Sequence, residues 1–114
     1  MKKLLMILPI ALILCFMVGC QDKEAIAELE EMNKEIVKRY WEGKWNERRP
    51  EILDELQTQD VVYHGTSMEM NGIEEYKRVY SSFLSAFHDT QVTFEDLIAE
   101  GDKVMSRITF SAVH

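Results

Sequence analysis

Residues 91–114 read QVTFEDLIAEGDKVMSRITFSAVH, and the division of this stretch decides the fold. Glu100, Gly101, Asp102 and Lys103 have the composition of a tight turn. Before it, Val92, Phe94 and the run Leu97 to Ala99 alternate in part. After it, Val104, Ile108, Phe110, Ala112 and His114 fall on one face at a period of two. Two strands joined by a short turn predict an antiparallel hairpin. The register aims His114 at the apolar face, where a titratable ring needs a partner or a purpose. Ser111 to His114 is still strand pattern, with no turn and no polar tail. It therefore reads as the end of a truncated domain whose last strand is an unpaired edge.

Working outward, Ile73, Tyr76, Val79, Tyr80, Phe83, Leu84 and Phe87 recur at threes and fours, which predicts an amphipathic helix. Asn71 is its expected N-cap, and Glu74 and Glu75 complement the positive end of its dipole. Val61, Val62 and Tyr63 predict a short strand ending at His64 and Gly65. Pro50 suits the first turn of a short helix carrying Ile52, Leu53 and Leu56. From Asn33 to Asn46, the residues Ile36, Val37, Tyr40, Trp41 and Trp45 form one helical stripe. This aromatic stripe reads first as core and second as the wall of a pocket. Gln21 to Met32 is acidic and free of Gly and Pro, and reads as a helical tether. Helices followed by antiparallel strands define an α+β domain with helices packed on a sheet.

The chain opens with Lys2 and Lys3, an uncharged run from Leu4 to Val18, and then Gly19 and Cys20. Basic, apolar and small-residue segments in that order predict an export signal. Met17-Val18-Gly19-Cys20 resembles a bacterial lipobox, which implies acylation of Cys20 and anchoring to a membrane of the cell envelope. The expected organisation is a signal peptide over 1–19, the acylated Cys20 and tether over 20–32, and the domain over 33–114. Cys15 leaves with the signal and Cys20 carries lipid, so thiol catalysis, disulfides and cysteine metal sites are excluded from the mature domain.

All 20 acidic residues lie beyond Cys20, against 11 of the 13 basic ones. Such a surface repels phosphate backbones and excludes nucleic acid as a partner. His64, His88 and His114 have no metal-ligand spacing, and no metal site is expected. His64 reads equally as a strand-end residue satisfied by nearby backbone, and His88 as a cation at a helix C-terminus. Asp60 and Asp89 read as turn or capping residues before they read as acid/base groups. Phosphate loops, nucleophile elbows and kinase signatures are absent.

Several segments carry a family resemblance: Tyr40-Trp41 with Trp45-Asn46, Leu53-Asp54-Glu55-Leu56, and Asp60-Val61-Val62-Tyr63-His64. It continues through Gly72-Ile73-Glu74-Glu75-Tyr76, Phe87-His88-Asp89, and the run from Glu95 to Val104 with Arg107 and His114. In these the chain resembles the SnoaL-like polyketide and ester cyclases. These share the nuclear transport factor 2-like (cystatin-like) cone with ketosteroid isomerase. The family usually has Phe-Pro-Asp where this chain has Phe87-His88-Asp89, and Gly-Thr-His where it has Ala112-Val113-His114.

The resemblance covers about the first two thirds of a family domain. The later strands, and the aspartate that family cyclases use as acid/base, are expected beyond it. It implies a conical pocket for a small, apolar, carbonyl-containing ligand, with Tyr40, Trp41, Phe87, Ile108 and Phe110 in its wall. His114 and, at the rim, His64 are the implied acid/base residues of a cyclase or isomerase that needs no cofactor. The alternative is a non-catalytic ligand-binding or accessory lipoprotein domain. The free final strand is compatible with a homodimer through the sheet.

Overall fold

The computed structural model describes the backbone of residues 2–114 and the side chains of residues 22–114. The expected signal peptide and Cys20 lie outside the residues whose side chains are described. In chain order the elements are α1 (Lys2–Trp41), a π-helical turn (Glu42–Asn46), α2 (Glu51–Leu56), β1 (Val62–His64), β2 (Glu69–Asn71), α3 (Ile73–Ala86), β3 (His88–Glu100) and β4 (Lys103–Val113). The tether and the first core helix are thus one helix, since no Gly or Pro interrupts residues 21–41. Among the described residues no helix is long and apolar enough to cross a membrane.

The strands form two antiparallel pairs, β1 with β2 and β3 with β4. In the long hairpin Val92 faces Phe110, Phe94 faces Ile108 and Glu100 faces Lys103 across the turn at Gly101. Register shifts between His88 and Gln91 and between Phe94 and Asp96 bend it. Asp89 takes up the first with a positive φ of 51°, which a short polar side chain tolerates. Val104, Ser106, Ile108 and Ala112 are half-buried while their odd-numbered neighbours are exposed, so the expected register holds. On the outer face Thr109 Oγ1 donates to Glu95 Oε1.

Two details differ from expectation. Asn71 does not cap α3: it ends β2, paired with Val62, and Gly72 takes the cap position at a φ of 85°. Glu69-Met70-Asn71 lacks the β-branched run that signals a strand, so β2 was hidden in the sequence. His88 does not end a helix but begins β3. Where the chain leaves α3, the Arg48 guanidinium satisfies two of the carbonyls there, donating to Leu84 O at 2.8 Å and to Phe87 O at 2.9 Å.

The core lies between α2, β2 and α3, where Ile52, Leu53, Met70, Tyr76 and Tyr80 are buried together. Helix α1 is tied across the hairpin: Asn33 Nδ2 donates to Gly101 O, and Gly101 N donates to Glu30 Oε1. Glu30 belongs to the segment expected as tether. Asn46 joins the π turn to the sheet as an added strand residue would. Its Oδ1 accepts from Val92 N at 2.6 Å and its Nδ2 donates to Val92 O at 3.3 Å. Val92 is buried, so Asn46→Ala strands a backbone donor away from water and should cost about 1–3 kcal/mol in chemical denaturation. Thr93→Ala, exposed on the other face of the same strand, should change stability far less.

Candidate active site

The site is built on the π turn. Glu47 N donates to Glu42 O at 3.0 Å and Arg49 N to Gly43 O at 2.9 Å, wider spacings than an α-helix allows. Gly43 permits this because α2 closes on it: a Cβ there would meet Ile52 Cγ1 at 3.0 Å. The widened turn carries both Lys44 and Trp45 into the interior.

They line a cavity of about 270 Å³ together with Trp41, Tyr63, Tyr76, Tyr80 and Phe83, and with Ile108 and Phe110 of β4. Its wall is overwhelmingly apolar. Trp45 is its centre, with the rings of Tyr80, Phe83 and Phe110 edge-on at 5.3, 5.2 and 5.0 Å. Such pairs stabilise a single packing arrangement and hold the wall rigid. The Trp45 indole N–H is buried and has no hydrogen-bond partner among the described residues.

Lys44 is the exception to this apolar wall, being only 3 % exposed. Its Nζ lies 2.5 Å from the Tyr76 hydroxyl and 3.3 Å from that of Tyr40. Tyr40 in turn donates to Tyr76 at 2.8 Å, and Gln57 Nε2 approaches Tyr40 at 2.5 Å. Gln57 Oε1 has no donor in this orientation, and the rotated amide would accept the Tyr40 proton instead. Tyr80 donates to the Lys44 carbonyl at 2.6 Å and so pins the backbone of the turn.

Among the described residues no carboxylate stands within ion-pair distance of Lys44. Burial without a counter-ion lowers its pKa to about 7. The indole rings of Trp41 and Trp45, centred 4.4 and 4.9 Å from Nζ, favour the ammonium and oppose part of this shift. The rings of Tyr40 and Tyr76 contribute less as cation acceptors, since Nζ meets them at their hydroxyl ends. Burial also raises the phenols, Tyr40 and Tyr76 upward and Tyr80 to about 12. The cluster is thus one amine near its midpoint at neutral pH among hydroxyls that stay protonated.

Of the residues expected in the pocket, Trp41, Ile108 and Phe110 line the cavity. Tyr40 stands behind it as a hydrogen-bond partner of Tyr76. Phe87 lies outside, stacked on Phe83 at 4.5 Å. Neither histidine lines the cavity. His114 lies one residue beyond the last paired residue of β4, exposed, with its ring 5.2 Å from that of Phe87. His64 is 75 % exposed, its Nδ1 at 3.8 Å from Glu69 Oε2. The polar groups at the cavity are instead Lys44 and the Tyr76 hydroxyl, with Tyr40 and Gln57 behind them. One signal for Lys44 is present in the sequence: it falls four residues after Tyr40 and three after Trp41, a charged residue set into an apolar stripe.

Helices laid over a bent antiparallel hairpin, with an apolar cavity between them, define an α+β ligand-pocket domain of the nuclear transport factor 2-like class. The family model described as SnoaL-like polyketide cyclase matches residues 35–114, more than two thirds of the chain. The chain belongs to that family. No curated protein and no solved structure matches it.

Proposed function

We propose that the chain binds a small, largely apolar carbonyl compound in this cavity and moves a proton on it, as a cyclase or isomerase does. The observation that supports this reading is a single buried amine, Lys44, in an otherwise apolar and aromatic wall. Such a wall gives affinity, and a few placed polar groups give orientation. The carbonyl oxygen takes hydrogen bonds from Tyr76 and Lys44, and negative charge developing on it is stabilised there against an apolar wall. With its pKa near 7, Lys44 holds or releases a proton at neutral pH. The proton chemistry is assigned to Lys44 and Tyr76 rather than to His114 and His64, because neither imidazole lines the cavity.

The test uses 2-acetylnaphthalene and 2-ethylnaphthalene, which differ in the carbonyl. The ketone is expected to quench the fluorescence of Trp41 and Trp45 saturably, with affinity about tenfold above that of the hydrocarbon for one well-made polar contact. Equal affinities would remove the polar role given to Lys44 and Tyr76. Exchange of the ketone's methyl protons in D2O then reads turnover. A second reading, a binding domain without turnover, is favoured by the absence of carboxylates from the cavity lining among the described residues. It takes over if the ketone binds and no exchange occurs.

We also propose that Cys20 is acylated and anchors the domain to a membrane, on the strength of the Met17-Val18-Gly19-Cys20 motif. Cys20→Ser is expected to abolish the lipidated, signal-cleaved form and release the domain from the membrane fraction. A membrane-bound, cleaved product of unchanged mobility would refute the anchor.

A further inference from the structure

The geometry points to Lys44 Nζ as a covalent anchor, an amine that condenses with the carbonyl carbon of an apolar aldehyde or ketone in the cavity to form an imine. The inference rests on the reading of the cavity as a carbonyl site and specifies how that site acts.

Three features of the structure carry it. Lys44 lines the cavity while nearly all of its surface is withdrawn from bulk water, so an amine there meets a bound ligand before it meets solvent. No carboxylate among the described residues pairs with it, and although the Trp41 and Trp45 faces favour the ammonium in part, burial leaves a substantial fraction as nucleophilic amine at neutral pH. The Tyr76 hydroxyl, 2.5 Å from Nζ, lies where the oxygen of an addition product would need a proton.

The step balances without an oxidant or a metal. The Nζ lone pair attacks the carbonyl carbon, an N–C bond forms, and the C=O pair moves onto oxygen. A proton from nitrogen neutralises that oxygen and gives the carbinolamine. Tyr76 then protonates the hydroxyl, the C–O bond breaks, and water leaves as the nitrogen lone pair closes the C=N bond. The remaining N–H proton returns to Tyr76, so amine and carbonyl have become imine and water. Before that proton returns, the imine is protonated and draws electrons from the adjacent carbon, whose C–H becomes acidic enough for a weak base. That supplies what a cavity lined by no carboxylate otherwise lacks. Addition of water reverses the sequence and frees the product.

The experiment incubates the full chain in mild detergent with 2-naphthaldehyde and sodium cyanoborohydride at pH 7, and maps the reduced adducts by peptide mass spectrometry. Saturable quenching of tryptophan fluorescence by the aldehyde is measured in parallel. Lys44 is expected to be labelled about a hundredfold faster than the exposed lysines of the same molecule. Val79→Trp, which fills the cavity from α3 and leaves Lys44 in place, is expected to abolish the preference. Because the comparison is among lysines of one molecule, it does not depend on any Lys44 variant folding. Saturable quenching with labelling spread evenly over the lysines overturns the covalent inference and leaves the carbonyl site standing. Absence of saturable quenching overturns both.

Discussion

Lys44→Met should make the fold more stable at pH 7 than the parent chain, and the difference should close as the pH rises to about 10.5. The folded pKa is lowered to about 7 from the ordinary 10.5, so between these values the unfolded chain binds a proton that the folded chain does not. Stability therefore rises with pH across this window, is complete above it, and is lost as the pH falls toward 7. Each pKa unit corresponds to about 1.4 kcal/mol, which sets a ceiling of roughly 5 kcal/mol on the penalty at pH 7. The faces of Trp41 and Trp45 reduce that figure by stabilising the ammonium.

The titratable groups around the amine are Tyr40 from α1, Tyr76 and Tyr80 from α3, and Tyr63 from β1. Subtracting the Lys44→Met profile removes their shared contribution. Urea denaturation of both chains at half-unit steps from pH 6.5 to 10.5 gives the result directly. Parallel profiles would mean that Lys44 is fully charged in the folded state, and the amine chemistry would go with them.

Ile52→Ala should cost about 2–5 kcal/mol, toward the upper end of what a buried aliphatic deletion costs. Ile52 is 0 % exposed and packs on Gly43, where a Cβ would lie 3.0 Å from its Cγ1. The space it leaves is walled by the π turn and by α3, neither of which can settle inward without dragging Lys44 or Tyr80 with it. Gly43→Ala alone should also destabilise, because its added methyl is crowded by the Ile52 side chain. The two changes together should cost less than their sum, since each relieves the other's misfit. Full additivity in chemical denaturation would mean that α2 does not clamp the turn.

Much of the architecture is legible in the sequence. The hairpin is visible because Gly101 sits between two runs of matching periodicity, and α3 because seven apolar residues share one stripe. β2 is not, because Glu69-Met70-Asn71 owes its conformation to pairing with Val62-Tyr63-His64 rather than to its own propensity. The site is legible in its hydrophobic half: spacing puts Trp41 on one helical stripe and Ile108 and Phe110 on one strand face, and the family resemblance implies that they form a pocket wall. Its polar half shows only as one charged residue set into the Tyr40 to Trp45 stripe, and its placement is hidden because a helical pattern assumes 3.6 residues per turn while the π turn adds a residue just there. His114 draws attention through a correct strand register, yet register alone does not say where the pairing of a strand runs out.

The widened turn also constrains how such a site can arise. With one residue fewer between Trp41 and Trp45, the segment would close as an ordinary α-helix, and everything before the deletion would rotate by about 100° relative to the residues after it. The face formed by Tyr40 and Trp41 would swing away from Lys44, Trp45 and Tyr76. The amine and its aromatic surroundings therefore depend together on a single residue of the turn, and deleting that residue would dismantle the whole arrangement even with every remaining side chain unchanged.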